Sequence, residues 1–359
     1  PSGVWIMAYT TIDKPSDYFN TKLYTSTNSE LAISGIGFAP NWVWIKSRSD
    51  AHDHFLTDTV RGATKNLNTV NTDAEATIAQ GLKSFDSDGF TVGTNGNVNN
   101  NTETFVAWNW LGGTSFTNDA SATGIGSIDS TGNFNNNSGF SIVSWTGTGA
   151  NGTIKHGLNS TPKFMIIKNR QNAADNWVVY SIAFPTPQTS YMYLNTTMDI
   201  RTGVTELFNS TNPTSSVLSV GSHDATNKNG DAIIAYCFSE KQGFSKFGSY
   251  TGNGNADGSY VHLGFKPAFI MIKVSSTTSN WGMFDNKRLG YNVKNEFVRA
   301  NEQTAESSDY DGIDFLSNGF KLRTTSTLVN AAQTYLYFAF AENPFVTSTA
   351  NGSIPATAR

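Results

Sequence analysis

One line is written three times in this chain: "GFAPNWVWIK" at 37–46, more loosely "LNSTPKFMIIK" at 158–168, and "GFKPAFIMIK" at 264–273. Pro40, Pro162 and Pro267 each stand six residues before a lysine, Lys46, Lys168 and Lys273. An aromatic followed by Thr lies sixteen or seventeen residues upstream of each proline: Tyr24-Thr25, Trp145-Thr146 and Tyr250-Thr251. Each unit closes on an apolar stretch, "TFVAWNW", "AIIAYCF" or "YLYFAFA". The prolines are 122 and 105 residues apart, too far for a solenoid repeat and about right for a small β-sandwich. The reading is all-β: three tandem β-sandwich, jelly-roll-like domains at 1–113, 139–243 and 244–345.

"WVWI", "FMII" and "FIMI" are apolar on both strand faces, which predicts central strands covered on both sides. Proline fits a strand entrance, where its missing N–H costs no ladder bond. The lysine is expected to mark where the strand surfaces, its stem buried and its ammonium in water. "SDGF" and "SNGF" predict hairpins with type I′ turns. Helix is expected to be scarce, with 72–85 the best candidate, Thr72 as N-cap and Glu75 three residues on. The Gly/Ser/Thr/Asn-rich segment 114–138 reads as an extended connector, and 346–359 as a polar tail.

Composition narrows function by exclusion. Only 14% of residues are charged, net charge is −4, and Asn alone occurs 38 times. Such a surface lacks the basic footprint that nucleic acid requires. Cys237 is the single cysteine, so no internal disulfide or thiolate cage can form, and its apolar setting suggests a small buried hydrophobe. No run reaches the ~20 apolar residues that span a bilayer. The chain opens at Pro1 without Met, as a fragment or a processed form would.

Chemistry-bearing motifs are weak. His156 and His262 belong to the repeat and read as structural, while His52 and His54 could share a strand face as metal ligands but lack a third partner. Asp86, Asp88, Asp309, Asp311 and Asp314 resemble fragments of calcium loops without the full spacing. No nucleophile elbow or phosphate-cradling loop is present. No catalytic residue, metal or cofactor is expected. Trp42, Trp44, Trp108, Trp110, Trp177 and Trp281 read as core residues rather than sugar platforms. The turns "WTGTG" and "YTGNG" give the binding candidates: Trp145, Thr146, Tyr250, Asn253 and Asn255.

The stretches "GFSIVSWTGTGANGTIKHGLNSTPKFMIIKNR" (139–170), "HDHFLTDTVRGATKNLNT" (52–69), "SFDSDGFTVG" and "FAFAENPF" resemble modules of tail-fibre-like and other structural proteins of marine bacteriophages. The resemblance covers nearly the whole chain. It implies a non-enzymatic virion component, a tail fibre or appendage contacting the host. The alternative is a capsid decoration or sheath protein. It further implies virion partners, a homo-oligomer (a trimer by habit of fibres), and a host-surface glycan as ligand. Unit 2 departs from the pattern by lacking the Asp-x-x-Arg found at Asp58/Arg61 and Asp285/Arg288.

Overall fold

A computed structural model describes residues 9–308 and 312–347; Asp309, Asp311 and all but the first two residues of the polar tail lie outside them. The fold is all-β. Helix among the described residues is confined to three four-residue segments and two 3-10 turns.

Three sets of four antiparallel strands repeat one order. In each, an opening strand (Phe19–Thr25, Phe140–Thr146, Ser245–Thr251) pairs with a closing strand (Thr104–Trp110, Ala232–Phe238, Thr334–Pro344). The closing strand pairs with a lysine strand (Trp42–Ser47, Phe164–Asn169, Phe265–Val274). The lysine strand pairs with a flanking strand (Phe55–Asp58, Val178–Ser181, Trp281–Asp285). A smaller sheet accompanies each set, such as Leu31–Ser34, Gly89–Val92 and Leu82–Asp86 in unit 1.

Every residue of the three lysine strands is buried, because both faces are covered. On the outer face of unit 1, Val43, Ile45, Phe105 and Ala107 pack with Ile33, Phe90 and Val92 of the smaller sheet. On the inner face stand Trp42, Trp44, Trp108 and Trp110. They join Phe164, Ile166, Tyr236 and Phe238 of unit 2, and Phe269, Met271, Phe338 and Phe340 of unit 3, in one cluster. Trp42 stacks on Tyr236 at 4.3 Å and Phe19 on Phe340 at 5.1 Å. The three units therefore share this inner core, while units 1 and 2 each keep a second cluster on the outer face.

Four local expectations are corrected. The segment 114–138 is a paired hairpin: Thr114–Asn118 and Ser130–Asn135 add two strands to the unit 2 sheet beside its opening strand. Alternation of small polar side chains suffices for a sheet edge, so low complexity did not mean extended linker. Residues 72–85 hold strands Ala76–Thr77 and Leu82–Asp86 instead of a helix, since Leu82 is needed in the unit 1 core. The two hairpins form, but their linking residues Ser87–Asp88 and Ser317–Asn318 do not take positive φ, so neither turn is type I′. Glycine is required there by close approach: a Cβ on Gly89 would lie 1.9 Å from the Ile33 carbonyl oxygen, and one on Gly319 2.1 Å from that of Val261.

The lysines are the fourth correction. Lys46, Lys168 and Lys273 are completely buried and do not surface. Lys168 Nζ donates to the carbonyls of Asp175 (2.7 Å) and of Thr72 in unit 1 (2.9 Å); Lys273 Nζ donates to Val274 (2.9 Å) and to Thr197 in unit 2 (3.2 Å). Burial lowers all three to about 8.

These reaches across units follow one cyclic rule. Four residues before Asp58, Ser181 and Asp285 stand His54, Trp177 and Trp281, and each ring N–H meets a carbonyl of the preceding unit. Trp177 Nε1 donates to Asn68 O (2.7 Å), Trp281 Nε1 to Tyr193 O (3.0 Å), and His54 Nε2 to Arg299 O (3.0 Å). Trp44 Nε1 donates to His54 Nδ1 at 2.7 Å, which places the histidine proton on Nε2. Unit 2 touches unit 1, unit 3 touches unit 2, and unit 1 touches unit 3, so the ring is closed.

Two of the three seams are ionic. Asp58 and Arg61, both fully buried side chains 2.5 Å apart, receive the Tyr236 hydroxyl of unit 2 at 2.7 Å. Asp285 and Arg288 receive Trp108 Nε1 of unit 1 at 3.2 Å. Beside them Arg170 grips Glu75 and Arg48 grips Glu306, each through two N–H···O bonds of 2.9–3.0 Å. At the seam between units 2 and 3 the same places hold Ser181, Phe184, Phe338, Ser275 and Ile200. The backbone bond survives there: Ile200 N–H donates to Ser275 O, as Glu75 N–H does to Arg170 O and Glu306 N–H to Arg48 O. Five positions have changed chemistry together, leaving no buried charge without a partner.

Candidate functional site

The loops that follow the opening strands are built alike, and a buried asparagine holds each one. Asn227, at the end of the short helix Asp224–Asn227, accepts the Thr148 N–H (3.0 Å) and donates to the Ala150 carbonyl (2.6 Å). Asn330 accepts the Asn253 N–H (3.1 Å) and donates to the carbonyls of Asn255 and Thr324 (2.7 Å each). Asn99 does the same in unit 1, accepting from Thr27 N–H and donating to Ser29 O and Gly93 O. All three are fully buried. Their sequence signal is a recurrent Asn four or five residues before each closing strand, legible only once those strands are aligned.

Of the binding candidates, Tyr250 stacks on Tyr335 (5.1 Å, 11°) with its hydroxyl on Val329 O at 2.6 Å, so it anchors its loop from inside. Asn253 and Asn255 are exposed on that loop, where their side-chain oxygens accept the N–H groups of Asn255 and Asp257. Trp145 is only 3% exposed and belongs to the unit 2 core, whereas its neighbour Thr146 is open to solvent. These five do not form one site, because the two loops belong to different units.

Trp145 and Thr146 do border a cleft of about 360 Å³. One wall is the hairpin of residues 114–135, which supplies Thr117, Asp119 and Asp129; the other is the ionic seam, which supplies Arg170. The seam fixes the arginine through Glu75, and Arg170 Nη1 also reaches Ser144 Oγ at 3.4 Å. Asp129 accepts the Ala120 N–H at 2.8 Å, and Asp119 accepts from Ser121 Oγ (2.7 Å) and Ala122 N–H (3.0 Å). Those bonds hold the Asp119 carboxyl below the usual carboxylate range. The cleft thus offers hydroxyls, two held carboxylates and an oriented guanidinium, a set suited to hydrogen-bonding a polyhydroxy ligand. Unit 2 alone has this wall among the described residues.

The remaining candidates have structural roles. His156 is buried, takes the Leu158 N–H on Nδ1 (3.2 Å) and gives Nε2–H to Thr214 O (3.2 Å); burial lowers it to about 4. His223 caps the short helix through Ala225 N–H, and His262 is exposed. His54 is spent on the seam, so it does not pair with His52 as a ligand. His52 instead lies 3.1 Å from Glu103, with Asp50 near, and Glu103 also accepts from Ser47 Oγ at 3.0 Å. Asp86 accepts from Ser84 and Thr91, and Asp88 binds the N–H groups of Gly35 (3.0 Å) and Gly37 (2.6 Å) to fasten the preceding loop. Asp314 pairs with Arg323 at 2.5 Å. Burial pushes the Cys237 thiol up to about 12, far from a nucleophile's range. Trp177 and Trp281 are core residues, and they also bridge units. No helix among the described residues is long and apolar enough to cross a membrane.

The chain belongs to the family described as Domain of unknown function (DUF7483), whose model matches residues 14–344. That match runs through all three units in one stretch, as the shared core does. No curated protein matches the chain.

Proposed function

We propose that the chain is a non-enzymatic bacteriophage virion protein, a tail fibre or appendage that contacts the host surface. The observation that carries this reading is a closed three-unit ring with loops held by buried asparagines and a hydroxyl-seeking cleft at a seam. Recognition residues tend to sit on loops held by such a scaffold. The resemblance to marine phage structural proteins agrees with it. So does a surface low in charge, because half-molar salt would screen most exposed ion pairs. The ring closes within one chain, so threefold geometry at a fibre tip needs no homotrimer.

A labelled recombinant chain, offered to a panel of intact marine bacterial hosts with purified virions as competitor, tests the proposal. Saturable binding that virions displace supports it; absence of binding by the folded protein removes it. The same ring favours a second reading, capsid decoration, because three similar units about a centre suit a site of local threefold symmetry. Rebinding to stripped particles would select that reading, and failure to rebind would end it.

A further inference from the structure

We propose that unit 3 carries a binding site for an acidic saccharide, in the cleft between residues 286–294 and the paired segments Lys266 and Glu342. The inference deepens the host-contact reading and rests on it for biological purpose, but not for its chemistry.

The cleft has a volume of about 290 Å³. Lys266, Lys287 and Lys294 line it, opposed by the single carboxylate of Glu342. Lys266 Nζ lies 3.0 Å from Glu342, and both Lys266 and Lys294 are more than nine-tenths buried. Lys294 Nζ donates to the Leu289 carbonyl and lies 5.8 Å from the Phe315 ring centroid. Of the acids behind the wall, Asp285 is held by Arg288 at 2.7 Å, while Glu296 lies 3.6 Å from an Arg48 that Glu306 already engages. Among the described residues three lysines therefore line the cleft against one lining carboxylate, in a chain whose net charge is −4.

Two further features point to a sugar rather than a bare anion. The Asn286 side-chain oxygen is buried at the cleft with no donor, an acceptor that a ligand hydroxyl would satisfy. Tyr291, 67% exposed, presents an aromatic face at the rim where a pyranose ring can lie against it. Carboxylate against ammonium, hydroxyl against amide oxygen and ring against ring define a uronic- or sialic-acid-type residue.

The test is titration calorimetry of the whole chain with trigalacturonate, N-acetylneuraminate, maltotriose and inorganic phosphate. At least one acidic sugar is expected to bind about tenfold or more tightly than maltotriose and phosphate. Lys287→Ala and Tyr291→Ala, both at exposed positions, should each weaken that binding about fivefold with melting temperature unchanged. Lys294→Met should abolish it, with circular dichroism checking the fold. No binding of either acidic sugar, equal binding of phosphate, or binding indifferent to Lys287→Ala and Tyr291→Ala overturns the site. Cell attachment that persists in the two surface variants would reject this cleft and leave the host-contact reading standing. Sugar binding without any cell attachment would do the reverse.

Discussion

His54 and His156 show what a buried residue contributes to behaviour in solution. Burial, aided at His54 by the Lys46 charge, lowers them to about 3 and about 4, so both are neutral in the fold. In the unfolded chain they titrate near 6.5. Below that pH the unfolded state binds protons that the native state refuses. Stability should therefore fall from about pH 6.5 toward pH 4, by about 1.4 kcal/mol per pH unit for each histidine. Urea melts at pH 7, 6 and 5 measure this, and His156→Gln should remove about half of the slope; an unchanged slope would discount the assignment. Asn330 gives a second residue-scale prediction. Asn330→Ala strips both partners from the 253–255 loop and should cost about 2 kcal/mol. Amide exchange at 252–258 should accelerate more than in the remainder of unit 3.

At the scale of strands, the seams make the sharpest claim. Arg61→Leu leaves Asp58 buried without its cation and should cost about 3–5 kcal/mol. The seam between units 2 and 3 shows how the chain itself solves that problem, with Ser181, Phe184 and Phe338. Asp58→Ser, Arg61→Phe and Tyr236→Phe combined should thus recover most of the loss caused by Arg61→Leu, as judged by chemical denaturation. A triple variant less stable than the single one would show that the apolar seam depends on packing beyond these places. Asp-x-x-Arg is absent from unit 2 for the same reason: its partner across the seam is a phenylalanine with no proton to give.

For the whole molecule, the shared core forbids independence. Residues 1–113 alone would expose Trp42, Trp44, Trp108 and Trp110, whose inner face is covered by units 2 and 3. That fragment should fail to give a cooperative transition, while residues 9–347 should unfold in one step, with calorimetric and van't Hoff enthalpies equal. Three resolved transitions in the calorimeter would contradict the coupling of the units through the shared inner core. Sedimentation should give a folded monomer, since all three seams among the described residues close within one chain.

The sequence by itself determined the central strands of each unit, though not the strands within 72–86 or 114–135. Apolar runs without a 3.6-residue period, bounded by proline and glycine, can bury both faces only inside a sheet, and their threefold recurrence fixed a threefold architecture. Cys237 and Trp42, Trp44, Trp108, Trp110, Trp177 and Trp281 were legible as buried for the same reason, whereas Trp145 reads as a loop residue and is core. What only the tertiary structure decided is which groups meet across units. Lys168 looks like a strand-end lysine until carbonyls of its own and the preceding unit enclose it, and the 114–135 segment looks like a linker until the unit 2 opening strand pairs with it. The two clefts are likewise invisible in one dimension, because Arg170 with Asp119, or Lys266 with Tyr291, are brought together by sheet pairing and seam closure. Periodicity encodes how much of a residue is buried; the partner that makes burial of a polar group tolerable is chosen by the fold.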